Sequence, residues 1–149
     1  DDIYTAREPA STRFNHLYAV NQVRLWMDEK FTWKSERRYR SEQTAQLAKG
    51  EELGPLPDGL VTTKEGIAAI EVEISSKKPG EMSAKLVRLA RKYEYRDAGY
   101  KPSFDFIWFY VPDEKIEDVI EAAAEDLSDE ELDRVSVYVE NDLRASRFR

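Results

Sequence analysis

The stretch Ala69-Ile70-Glu71-Val72-Glu73-Ile74-Ser75-Ser76-Lys77, with Pro57-Asp58-Gly59 a short hairpin's length upstream, decides the fold. Side chains alternate along a strand, so Glu71, Glu73 and Ser75 share one face and Ile70, Val72 and Ile74 the other. Lys77 joins the polar face if the strand runs that far. Two carboxylates set among valine and isoleucine are costly to bury, and a divalent cation would remove the cost. Mg²⁺ and Mn²⁺ take carboxylate and water oxygens, so metal coordination by Asp58, Glu71 and Glu73 is the expectation. Asp58 can supply a carboxylate because hairpin neighbours sit ~5 Å apart. The competing reading is a half-exposed strand whose polar face looks at solvent.

Working outward, Asp58 to Thr63 predicts one strand, Thr63-Lys64-Glu65-Gly66 a turn with Gly66 at positive φ, and Ile67 to Ser75 a second strand. Pro79-Gly80 breaks the chain. Glu81 to Asp97 predicts a helix with Met82, Leu86, Leu89 and Tyr93 on one face and Gly99 as the stop. Phe104 to Val111 is a continuous apolar run, as in a strand covered on both faces. Asp113 caps a helix with core face Ile116, Val119, Ile120, Ala123 and Leu127. Ser128-Asp129-Glu130-Glu131 has capping-box spacing, and Val135, Val137 and Val139 alternate as a last strand. Upstream, Asn15 is the expected N-cap of a helix to about Glu29, with Val20, Val23 and Met27 inward. Phe31 to Tyr39 alternates as a strand. Residues 40–54 look like a loop, or a short helix plus loop. A hairpin followed by strand–helix–strand crossovers predicts an α/β domain, a mixed central sheet flanked by helices. The expected division is an arm or linker at 1–14, the domain at 15–143 and a tail at 144–149.

Composition bounds the function. The 149 residues suit one domain. Cysteine is absent, which excludes disulfides, thiolate metal sites and cysteine nucleophiles. The single histidine, His16, excludes any site that needs two, and it weighs against a nicking enzyme of the relaxase type with a tyrosine nucleophile, whose site usually takes a histidine cluster to hold metal. No apolar run approaches a membrane span, and no signal peptide is visible, so a cytoplasmic setting is expected. The opening Asp1-Asp2, in place of methionine, leads us to expect an excised domain. The net charge is −7, but Asp113 to Asp133 alone carries eleven acids against one lysine. That run reads as a solvent-facing helix, leaving the rest near neutral and able to hold a basic patch.

The spacing of Asp58 and Glu71-Val72-Glu73 resembles the PD-(D/E)XK nuclease motif. The element order is similar to that superfamily's restriction-endonuclease-like αβββαβ core. The resemblance implies that Asp58 and Glu71 bind Mg²⁺ (or Mn²⁺) and that a lysine orients the attacking water. Glu73 stands where that lysine is expected. Some members of the superfamily carry glutamate there, and Lys77 is the alternative source. Over most of residues 15–140 the chain also resembles the replication-relaxation family, through Asn15-His16-Leu17-Tyr18-Ala19-Val20-Asn21, Trp33-Lys34-Ser35-Glu36-Arg37, Pro57-Asp58-Gly59-Leu60 and Ile70 to Lys77. Members occur on plasmids and integrative elements of Gram-positive bacteria, especially actinobacteria, and often begin with a winged-helix DNA-binding domain. That domain is not in this sequence, which agrees with an excised C-terminal fragment.

Other residues enter as supporting candidates. Glu36 precedes the motif in the order in which such cores take an extra acidic group; one exposed glutamate among several is the equal alternative. Lys85, Arg88, Lys92 and Arg96 recur at spacings of three and four and could follow DNA phosphates; a solvated helix face explains them as well. Arg37, Arg38 and Arg40 form a second basic cluster around Tyr39. His16 and Asn21 fit capping and packing, and Trp26, Trp33 and Trp108 fit the core. The leading expectation is a metal-dependent DNA endonuclease of a mobile element, acting in replication or defence, as a homodimer if both strands are cut. Its rivals are a catalytically inactive nuclease-fold DNA-binding or dimerisation domain, and a protein-interaction module built on the acidic segment.

Overall fold

The hairpin around Gly66 lies at the centre of a five-stranded sheet. The computed structural model describes residues 10–47, 56–75, 77–90 and 104–143. In chain order the elements are α1 (Ala10–Asp28), β1 (Thr32–Ser35), α2 (Glu36–Gln46), β2 (Gly59–Thr62), β3 (Ile67–Val72), α3 (Pro79–Ala90), β4 (Phe106–Val111), α4 (Glu114–Ala123), the short α5 (Asp129–Leu132) and β5 (Val135–Val139). A 3₁₀ turn at Ala124–Asp126 follows α4, and another at Asn141–Leu143 follows β5.

The strands lie in the order β1-β2-β3-β4-β5. β1, β2 and β3 form an antiparallel meander, and β4 and β5 add in parallel after helical crossovers. This is the expected mixed α/β sheet with helices on both faces. Gly59 pairs with Ile70 and Thr62 with Ile67. At the turn, the Thr63 amide and hydroxyl both donate to the Gly66 carbonyl at 2.8 Å. Gly66 has φ 147°, and a Cβ there would stand 2.5 Å from the Asp105 carboxylate. That turn admits only glycine without strain.

Alternation along the strands makes two layers. Val61, Ala68, Ile70, Val72 and Tyr110 pack with Ala19, Val23 and Met27 of α1. Leu60, Ala69, Ile107, Phe109 and Val111 pack with Met82, Leu86 and Leu89 of α3 and Ile116, Ile120 and Ala123 of α4. The half-buried Trp26, Trp33 and Trp108 lean on the α1 layer. Asp113 caps α4 by accepting from the Ile116 amide at 3.0 Å, and Ser128 and Glu131 close the expected capping box of α5. Most acids of the 113–133 run are exposed, as a solvated face requires.

Several boundaries differ from expectation: α3 takes in Pro79 and Gly80 where a chain break was expected, and β4 starts at Phe106, two residues after Phe104. α1 begins at Ala10, so Asn15 is not its N-cap and residues 10–14 belong to the helix. β1 ends at Ser35, whose hydroxyl accepts from the Arg38 amide and starts α2 where alternation had predicted strand to Tyr39. α2 carries Glu36–Arg40 and Arg38–Glu42 pairs one turn apart, and it buries Tyr39 against the α3 layer. β3 ends at Val72 instead of Ser75. The Glu73 amide still donates to the Tyr110 carbonyl at 3.0 Å, so Glu73 remains tied to the sheet.

Candidate functional site

The site forms where the parallel strands β3 and β4 end and β2 begins. Carboxyl ends of parallel strands are where open α/β sheets place ligands. The ladder runs one step past β2: the Asp58 amide donates to the Ile70 carbonyl at 2.9 Å. In return Asp58 Oδ2 accepts from the Val72 amide at 2.8 Å. The Asp58 side chain is therefore fixed against the backbone between Glu71 and Glu73. Its side chain is 12% exposed.

Glu71 and Glu73 point to the α3 side, as the alternation required. They are 1% and 4% exposed, and they head the buried polar residues of the described chain. Lys85, one turn into the buried arc of α3, reaches between them. Its Nζ lies 2.7 Å from Glu71 Oε2 and also bonds Glu73 Oε1 at short range. Lys77 stands at the rim, with Nζ 3.6 Å from Glu73 Oε2. Burial pulls the Lys85 ammonium down, but Glu71 and Glu73 outweigh it and hold its pKa above the ordinary lysine value. Burial, followed by the charge of Asp58, pushes the Glu71 carboxyl up to about 8 against the pull of Lys85. The 2.7 Å ion pair with Lys85 favours an ionised Glu71, and the burial, which is the larger effect, favours a protonated one. One ammonium serves two buried carboxylates, so Glu71 is the group left under-compensated. Its Oε1 is buried with no hydrogen-bond partner, an arrangement that costs a few kcal/mol where nothing else fills the gap.

His16 enters from α1 on the opposite face. Its Nε2 is 3.1 Å from the Val72 carbonyl and 3.4 Å from Asp58 Oδ2. The contact with Asp58 raises the imidazole pKa, with burial opposing it.

The structure thus gathers Asp58, Glu71, Glu73 and Lys77, as expected, and adds Lys85 and His16. The spacing of Lys85 suggests a solvated or phosphate-tracking stripe; the side chain is bound to Glu71 and Glu73 instead. The signal was present, since Lys85 lies three residues after Met82 and four before Leu89, on the inward arc. Arg88, one turn on, is exposed, as are Arg37 and Arg38 on α2. Lys92 and Arg96 lie outside the described residues. Glu36 begins α2 at the same sheet end as Asp58, because Ser35 pairs with Gly59. Its carboxylate, however, is held by Arg40 at 2.6 Å.

Whether these residues suit a divalent ion can be judged from their chemistry. Asp58, the unpartnered Oε1 of Glu71 and the Val72 carbonyl are hard oxygen donors of the right class. Among the described residues, no three His, Asp or Glu side chains converge on one point as they stand. The cation now between Glu71 and Glu73 is the Lys85 ammonium. Among the described residues, no helix is long and apolar enough to cross a membrane. Compared with protein-family profiles, curated proteins and solved structures, the chain matches none.

Proposed function

We propose that this domain is a metal-dependent phosphodiester hydrolase acting on DNA. The observation that carries the reading is the pair of buried carboxylates Glu71 and Glu73 with the half-buried Lys85 between them and Asp58 beside them, one Glu71 oxygen being left unpartnered. A fold by itself assigns no function, but a desolvated carboxylate with a raised pKa beside a half-buried lysine is the pattern of a working site. Asp58 and Glu71 would hold the ion. A bound divalent cation polarises a phosphoryl oxygen and lowers the pKa of its water.

The chain's own residues do the remaining work. The Val72 amide fixes Asp58. Glu73 holds Lys85 in place and so explains why a glutamate can stand at the motif's lysine position. Lys85 supplies the positive charge toward the pentacoordinate phosphorane that forms as water attacks phosphorus and the P–O bond to the leaving group breaks. Lys77 reaches the same carboxylates from the rim. The exposed Arg37, Arg38 and Arg88 are the available phosphate contacts. Mg²⁺ or Mn²⁺, a DNA substrate and a setting in mobile-element replication or defence belong to this reading through the resemblance described above.

One observation favours a second reading, an inactive nuclease-like fold that only binds DNA. Lys85 already neutralises Glu71 and Glu73, as a built-in substitute for an ion would. Cleavage of supercoiled plasmid with Mg²⁺ or Mn²⁺ separates the two. Nicking that Asp58→Ala and Glu71→Ala each abolish supports the hydrolase. DNA binding without cleavage by the wild type supports the inactive fold.

A further inference from the structure

We propose that the open edge of β5 pairs antiparallel with β5 of a second copy of this chain, joining two five-stranded sheets into one across a two-fold axis. The sheet has two edges, β1 and β5. β1 is four residues long, carries Lys34 in an ion pair with Glu42, and ends where Ser35 caps α2. Short length and charge are how proteins protect an edge. β5 has neither protection: it reads Val135-Ser136-Val137-Tyr138-Val139, without charge, proline or glycine.

Backbone directions along β5 follow from its ladder with β4. The Ile107 amide donates to the Arg134 carbonyl, and the Glu140 amide donates to the Val111 carbonyl. Val135, Val137 and Val139 pair with Ile107, Phe109 and Val111. In a parallel ladder this commits the even-numbered groups, Ser136 and Tyr138 between them, to β4 and turns the amides and carbonyls of the three valines outward. Among the described residues, no backbone group outside the sheet meets them.

An edge that pairs with its own copy must match itself when reversed. Rotation about Val137 sets Val135 opposite Val139 and Val137 opposite itself, so every outward group is used, in about six hydrogen bonds. The same rotation sets Arg134 opposite Glu140 of the second copy, on both sides of the axis, and Ser136 opposite Tyr138. These pairs fall at the closer positions between hydrogen-bonded ones, where opposite charges across strands stabilise pairing. Arg134 is now held at 3.1 Å by Glu130, whose side chain is 82% exposed and can share it. A register shifted by one pleat either way loses about two of the hydrogen bonds and takes Arg134 off Glu140. Tyr138, exposed and stacked on Tyr110 with ring centroids 5.2 Å apart, is the large side chain of β5 that comes to lie beside the second strand. Glu71, Phe109 and Val137 share one row across β3, β4 and β5. The axis therefore sets the two Glu71–Lys85 centres about five strand spacings apart, ~24 Å along the sheet.

Mass, not cleavage, reports this pairing, so it stands or falls apart from the hydrolase reading. The test is sedimentation velocity of the whole chain from about 1 μM to about 1 mM, the affinity range of small interfaces. Salt at ~0.15 M screens the repulsion between two chains of net charge −7 beyond ~8 Å. The expected result is a concentration-dependent dimer and no larger species, because the pairing uses the β5 edge of both copies. Val137→Pro removes an outward amide and leaves the β4 ladder intact, and it should weaken the dimer about tenfold or more. Arg134→Glu and Glu140→Arg should each weaken it about tenfold. The double variant should restore it, a rescue that a folding defect does not produce. Melting temperatures check that each variant folds. A wild type that stays monomeric throughout overturns the proposal, and a different occupant of the edge would show in that way. A dimer indifferent to Val137→Pro overturns it too, as do single reversals that the double variant fails to rescue.

Discussion

Replacing Lys85 with methionine keeps the length of the side chain and removes its charge from between two carboxylates that are 1% and 4% exposed. Breaking a buried ion pair by deleting one partner costs about 3–5 kcal/mol, because the other charge is left uncompensated. The Lys85 side chain is 22% exposed, so some solvent screening survives and the lower end, about 3 kcal/mol, applies. For a chain of this size that lowers the melting temperature by roughly 6–12 °C. The loss should be larger at pH 8.5 than at pH 6, where Glu71 can take a proton in place of the ammonium. Thermal and urea unfolding of the metal-free protein at both pH values measures it. Adding Glu73→Gln to Lys85→Met should recover part of the loss, since it removes one stranded charge. A Lys85→Met protein less than about 1 kcal/mol weaker than wild type at pH 8.5 would refute the reasoning, because the ammonium would then behave as a surface charge.

Two further outcomes follow from the same geometry. The pKa of Glu71 is raised to about 8 from an ordinary 4.5, and that of His16 is raised from 6.5, so each group holds a proton in the folded state that the unfolded chain gives up earlier. Both contributions are complete below the unfolded values and are lost as pH rises through the folded ones. Stability of the metal-free protein should therefore fall between about pH 5 and pH 8.5 by urea titration, and rising stability over that window would contradict the assignment. At Gly59, an added Cβ would lie 2.1 Å from Trp33 Cζ2 and 2.4 Å from Cη2. Gly59→Ala should cost about 2 kcal/mol or more through displacement of the indole, read by urea unfolding and by a shift in tryptophan emission; an unchanged midpoint would show that the ring moves freely.

Much of the fold was legible because its signals are local. Gly66, the period-two pattern from Ile67 and the caps at Asp113 and Ser128 act within a few residues, and the structure has all of them. The placement of Glu71 and Glu73 on one face followed from alternation alone. What escaped depends on distant neighbours or on competing patterns. Phe31, Trp33 and Ser35 alternate, but Ser35 also caps, and the Glu36–Arg40 and Arg38–Glu42 spacing favours helix from there on. Lys85 looked like one of a solvated stripe because its partners are twelve and fourteen residues away. Its position on the inward arc with Met82 and Leu89 was the better guide. His16 could not be placed from sequence, since only the packing of α1 on β3 brings it to Asp58.

The central claim is that the buried carboxylates and Lys85 form a hydrolytic centre, with Lys85 in the part a strand lysine would otherwise take. Nicking of supercoiled plasmid in Mn²⁺ by wild type, Lys85→Ala and Lys77→Ala, compared at equal metal occupancy, tests it most directly. Wild type should nick, Lys85→Ala should lose about a hundredfold or more in rate, and Lys77→Ala should lose far less. Full activity in Lys85→Ala, or its loss only in Lys77→Ala, would contradict it.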